Sequence, residues 1–177
     1  PPMQKTSGAD GALQYSLVEV MVERDARRAT ITLSGPDTDA PADMTAFQAL
    51  GDQAYLLRLA RELDDAILHL RLNEMELGLL VFRSQGDQQA VIAQEAVLMA
   101  EPDHWLANEV LKYWKRVLKR IDVTSRSMVG LVEHGSCFAG VLAEILFAVD
   151  RSYMMEDEFE GDNRPPEPVA NAVLRNT

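Results

Sequence analysis

The sequence predicts an α/β domain layered around a central, partly parallel sheet, and three observations predict it. Leu77 to Phe82, interrupted only by Gly78, and Met128 to Val132 are short apolar runs of the kind seen in strands buried on both faces. Two longer segments repeat apolar residues every three or four positions, as helices covering such a sheet do. The order of these pieces, two strands, helix, strands, helix, strand, helix, alternates rather than segregating the two types of element. A chain of 177 residues with 47% hydrophobic side chains can build one packed core without metal or disulfide support.

Pro1 to Gly11 is rich in Pro, Gly, Ser and Asp and reads as a tail. Val18, Val20 and Val22 alternate on one side, and Ala29, Ile31 and Leu33 do the same after the charged Arg24 to Arg28 break, which predicts a hairpin. Gly35 to Met44, with Pro36 and Pro41, is a loop by composition. A helix follows with Asp52 as its expected N-cap and Leu56, Ala60, Leu63, Ile67 and Leu70 along one face. After the Leu77 to Phe82 strand, Ser84 to Gln89 is a turn centred on Gly86-Asp87, and Ala90 to Met99 is ambiguous, with a strand favoured at its start. Asp103 is the expected cap of a helix whose buried stripe is Leu106, Val110, Trp114, Val117 and Ile121. The Met128 to Val132 strand then runs through His134-Gly135 into an apolar helix over Phe138 to Val149, and Ser152 to Met155 is a short strand. The expected organisation is a tail or linker over residues 1–16, one domain over 17–166 and a C-terminal tail over 167–177.

Twenty-eight acidic against 17 basic residues give a formal charge of −11, which repels polyanions, so nucleic acid is not an expected partner. The single Cys137 excludes an internal disulfide and suits a reducing cytoplasm. No segment carries the roughly 18 uninterrupted apolar residues of a membrane span, and the first residues lack a signal-peptide run. His69, His104 and His134 have no metal-ligand spacing, and Walker A and Gly-x-Gly-x-x-Gly patterns are absent, so neither a metal nor a dinucleotide is expected. The basic stripe Lys112, Lys115, Arg116, Lys119 and Arg120 fits a solvated helix face, with anion binding as the other reading.

Chemistry concentrates after the Met128 to Val132 strand. Glu144 is the only carboxylate in CFAGVLAEILFAV, Cys137 to Val149, and on a continuous helix its neighbours Gly140, Val141, Phe147 and Ala148 offer no polar face. Burial there favours the neutral carboxyl and raises its pKa, the tuning that general acid–base catalysis uses. A glutamate paired with an arginine satisfies the same pattern, so the residues alone leave both readings open. The turn from His134 to Gly140 is made of small residues and opens a helix, where free N–H groups can hold an anion or a developing oxyanion. Cys137 beside it reads as a small buried filler or as a thiol with lowered pKa.

These residues resemble the crotonase, or enoyl-CoA hydratase, superfamily. Glu62-Leu63-Asp64-Asp65-Ala66-Ile67 through Leu77 to Phe82 is similar to the family's E-L-x-x-A-L helix and following strand. Val132-Glu133-His134-Gly135 through Ala139-Gly140, Ala143-Glu144-Ile145 and Ala148-Val149-Asp150 is similar to its V-N-G-x-x-x-G-G-G-x-E-L-A-x-x-C-D signature. Further blocks, among them Ser125-Arg126-Ser127 and Asp150-Arg151-Ser152-Tyr153-Met154, resemble a carbon–carbon lyase branch of the superfamily whose longer chain has two crotonase-like parts, this sequence being similar to the second. The resemblance implies layered ββα units truncated at the C-terminal helices. It implies Glu144 as the catalytic acid or base, and Gly140 and Val141 as the substrate-binding residues that supply an oxyanion-hole amide. It implies an acyl-CoA thioester as partner, coenzyme A entering only as part of the substrate. Assembly is expected as a homo-oligomer or by pairing with another crotonase-like half. Two departures stand out: Ser84 to Leu98 holds no C/S-x-G-A-D/N loop for the second oxyanion amide, and the family's second glutamate has several candidates among Glu156 to Glu167.

Overall fold

The computed structural model describes residues 2–155, and its elements alternate as the sequence predicts. The strands are β1 (Thr6–Ser7), β2 (Leu13–Gln14), β3 (Val18–Glu23), β4 (Arg28–Ser34), β5 (Leu79–Gln85), β6 (Ser127–Val132) and β7 (Arg151–Met154). The helices are α1 (Met44–Leu50), α2 (Tyr55–Asn73), α3 (Gln88–Ala100), α4 (Trp105–Asp122) and α5 (Ala143–Ala148). The strands form one seven-stranded sheet in sequential order. β1 to β4 are antiparallel neighbours, and β4 to β7 are parallel, so each parallel step needs a crossover. α1 and α2 make the first crossover, α3 and α4 the second, and α5 the third.

The β3–β4 hairpin has the predicted register, with Val20 opposite Ile31 and Val22 opposite Ala29. Its parallel continuation places Ile31 beside Phe82, both fully buried, so the apolar run of β5 is the middle of the sheet. Three element predictions need correction. Leu13 and Tyr15, within the stretch read as a tail, are buried, and two short strands there extend the sheet. Asp52 does not cap α2: it lies in a 3₁₀ turn, the cap position is Ala54 with no side-chain bond, and Asp43 caps α1 instead. The expected strand at Ala90 is helix α3, started by Asp87, whose carboxylate accepts from the Gln89 N–H at 2.7 Å. Its buried positions Val91, Gln94 and Leu98 have helical spacing, but exposed Ala93, Ala96 and Ala100 make its outer face apolar too and erase the period.

α4 is the amphipathic helix the sequence predicts, burying Ala107, Val110, Trp114, Val117 and Ile121, and it packs on α2. Its N-cap is His104 rather than Asp103. Several polar residues of the similarity blocks hold the layers together. The Glu62 carboxylate, 3% exposed, accepts from the Leu17 N–H at 2.7 Å and from the Ser16 hydroxyl, tying α2 to the start of β3. Arg126 donates to the carbonyls of Leu70, Glu74 and Leu77 and closes the C-terminal end of α2. Asp150 accepts from the Met128 N–H at 2.8 Å, fixing the end of α5 beside the start of β6. The expected tail over 167–177 and the carboxylates of Glu156 to Glu167 lie outside the described residues.

Candidate active site

The carboxyl ends of β4, β5 and β6 come together in one junction, the side of a parallel sheet on which ligands bind. The Gly35 N–H donates to the Gln85 carbonyl at 2.7 Å, and the Gly86 N–H donates to the Gly135 carbonyl at 2.9 Å. The Cys137 N–H donates to the Ser84 hydroxyl at 3.0 Å. Gly86 has φ +145°, and a Cβ there would stand 2.8 Å from Gly35 Cα, so the first two loops touch backbone to backbone. Cys137 is fully buried against them. Burial pushes its thiol pKa up, partly offset by the Ser84 hydrogen bond, which makes it a filler rather than a nucleophile.

Beyond Cys137 the chain is not the continuous helix that the apolar run suggests. Ala139 is extended, Gly140 takes φ +50°, residues 140–142 form a 3₁₀ turn, and only Ala143–Ala148 is α-helical. A left-handed glycine breaks the helix, so the residues before it pack as extended chain. Gly140 and Val141 are both buried at the turn. Among the described residues neither of their N–H groups is spent on a backbone carbonyl, the backbone donors of the turn being Leu142, to Ala139, and Ala143, to Gly140. Glu144 follows one residue into α5. It is half-buried rather than sealed, because the short helix turns an outer face to water that includes Phe147 at 65% exposure. The expectation of a carboxylate shut away from solvent is therefore corrected, while its place four residues after Gly140 stands.

A second carboxylate reaches the same turn and was not anticipated. A Cβ on Gly140 would lie 2.1 Å from Glu95 Oε2 and 3.1 Å from its Cδ, so the Glu95 carboxylate rests directly on the glycine. Glu95 is the only ionisable side chain of α3 and is half-buried. A single ionisable side chain in a largely apolar segment is also what singles out Glu144, and here it is masked because Ala90 to Met99 is ambiguous in the sequence, with a strand favoured at its start. The turn after β5 also bears on the site. Gly86-Asp87 leads straight into α3, with the Gly86 N–H spent on Gly135 and Asp87 occupied as a cap, so no Gly-Ala-Asp loop forms there.

Four of the five residues of the basic stripe have partners in the structure. Lys112 pairs with Glu109, Lys119 with Asp122 and Arg120 with Asp64, and Arg116 lies over the Tyr113 ring, which describes a largely neutralised helix face. Among the described residues no group of three or more His, Cys, Asp or Glu side chains is placed to hold a metal ion. No described helix is long and apolar enough to cross a membrane.

This arrangement, a sequential sheet with parallel crossovers and a glycine turn at its carboxyl edge, is a crotonase-like fold. The structure superposes on an enoyl-CoA hydratase from Bacillus halodurans with a TM-score of 0.53 and 19% identity, over 77% of this chain and 49% of that one. An enoyl-CoA hydratase/isomerase from Marinobacter aquaeolei aligns over 77% of this chain and 47% of that one at a TM-score of 0.49 and 11% identity. In sequence, the chain is similar to the benzoyl-CoA-dihydrodiol lyase of Aromatoleum evansii, 42% identical over 142 residues. That match takes in 80% of this chain and 26% of the lyase, so the chain spans about a quarter of its relative's length. No family model matches the sequence.

Proposed function

We propose that this chain is an acyl-CoA-binding crotonase-like segment of a carbon–carbon lyase, acting in the ring opening of 2,3-epoxybenzoyl-CoA during aerobic benzoate breakdown, a reaction that releases formate. The observation that carries the reading is the glycine turn at the carboxyl edge of the sheet. There the Gly140 and Val141 N–H groups are not spent on backbone carbonyls among the described residues. In this reading they hold the thioester oxygen as it gains negative charge, the effect that contributes most to acyl-transfer and enolate chemistry. Glu144, one residue into the helix that follows, carries a proton to or from the reacting acyl group. The 42% identity to benzoyl-CoA-dihydrodiol lyase supports the substrate class. Coenzyme A is part of the substrate, and the active assembly is a homo-oligomer or a pairing with another crotonase-like half, in a cytoplasmic setting.

The test is formate release from 2,3-epoxybenzoyl-CoA by the assembled enzyme. Glu144→Gln keeps the shape of the side chain and removes its proton chemistry, so kcat is expected to fall on the order of 100-fold or more with KM little changed. A Glu144→Gln enzyme with parental kcat contradicts the catalytic assignment.

A second reading has its own observation. With the Gly86 N–H bonded to Gly135, the loop after β5 lends no glycine amide to an oxyanion hole. This favours a non-catalytic crotonase-like module that supports an active partner, and under that reading Glu144→Gln leaves both kcat and KM unchanged.

A further inference from the structure

Two carboxylates, each the only ionisable side chain of its helix, belong to the elements that meet at the 140–142 turn. Glu144 follows the turn in sequence, whereas Glu95 reaches it from α3, which packs against it. The Glu95 contact is unusually close: its Oε2 fills the place that a side chain of residue 140 would occupy. Gly140 therefore serves two needs at once. Its φ of +50° turns the chain, and its missing Cβ makes room for the Glu95 carboxylate.

We infer that Glu95 is a built-in occupant of the candidate oxyanion position, which an acyl thioester must displace before its oxygen can reach the Gly140 and Val141 N–H groups. The inference rests on the reading of this turn as an acyl-CoA site and adds how that site is gated. The physical case has two parts. First, an oxygen approaching the Gly140 backbone meets a space that the carboxylate already fills. Second, a thioester oxygen gains negative charge as the reaction proceeds, and a carboxylate a few ångströms away opposes that charge more strongly in a partly buried site than in water. Glu95 is half-buried on a long side chain that has an interaction of its own to give up, so it leaves by exchanging that interaction for solvent through rotation about its own bonds, without unwinding α3. Helix α3 starts immediately after Gly86-Asp87 at the same junction, so the position of Glu95 depends on the contacts that join the strand ends. The resting enzyme thus holds its turn closed, and ligands with enough binding energy elsewhere open it.

The test is calorimetric titration of the full 177-residue chain with benzoyl-CoA, comparing the parent, Glu95→Ala and Glu95→Gln. Glu95→Ala removes both bulk and charge and is expected to tighten binding tenfold or more. Glu95→Gln keeps the bulk and loses the charge, and is expected to tighten it about threefold. Thermal unfolding of each variant checks that the fold is kept, which alanine on a helix favours. Parent and Glu95→Ala binding equally, or Glu95→Ala binding more weakly, overturns the gate and leaves the acyl-CoA site standing. No binding by any of the three proteins overturns the site and the gate together.

Discussion

Replacing Gly86 by alanine is expected to destabilise the protein by on the order of 4 kcal/mol, or to prevent folding altogether. Two costs add. The backbone at φ +145° is one that essentially only glycine adopts, worth roughly 1–3 kcal/mol for any other residue. The new methyl would also stand 2.8 Å from Gly35 Cα and 3.0 Å from Gly35 N, and these are backbone atoms that cannot rotate out of the way. Relief requires the two loops to separate, which breaks the Gly35 to Gln85 and Gly86 to Gly135 hydrogen bonds and exposes Cys137. Gly51→Ala is the natural control. Its φ is +57° and nothing lies within 4 Å of the added methyl, so only the left-handed penalty of about 1–2 kcal/mol applies. Urea denaturation of both variants checks the difference. A Gly86→Ala protein no less stable than Gly51→Ala would mean that the strand-end loops are not locked as described.

Trp114→Ala is expected to cost about 3–5 kcal/mol, the range for deleting a large buried aromatic side chain. Trp114 is 1% exposed at the centre of the α2–α4 interface, and its indole N–H donates to the Leu56 carbonyl at 3.0 Å. Phenylalanine refills most of the volume but leaves that bond unmade, so Trp114→Phe should cost about 1–2 kcal/mol. The ordering Ala worse than Phe worse than the parent, read from denaturant midpoints at unchanged slope, checks that this contact joins α4 to α2. Equal losses for Ala and Phe would instead assign the whole effect to the hydrogen bond.

Trp114 also shows what in the fold could be read from residues alone. α4 has one apolar stripe and one charged face, and the β3–β4 hairpin alternates apart from Met21, so each pattern has a single solution. α3 has neither property. Its alanines are tolerated on the exposed face and leave no period to read, although Asp87 at its head was a usable start signal. The run from Cys137 to Val149 failed differently. It is apolar because it crosses the interior, and hydrophobicity does not say whether the chain crosses as helix or as extended segment; the conformation of Gly140 decides that.

The candidate site divides along the same line. Glu144, Gly140 and Val141 share one stretch of sequence, so their proximity was legible, whereas the exposure of Glu144 was not, because it follows from the shortness of α5. Glu95 lies 45 residues before Gly140 in the chain, and only the crossover through α3 and α4 brings the two together. The closing of the Gly86 N–H onto Gly135 is likewise a contact between two loops that no local pattern encodes.

The most direct measurement follows the two amides themselves. In the ¹⁵N-labelled chain titrated with benzoyl-CoA, the Gly140 and Val141 N–H resonances should shift and saturate together, and shift further at equal occupancy in Glu95→Ala. Saturable shifts confined to other surfaces, with both of these resonances unmoved in either protein, would contradict an acyl-CoA site at this turn.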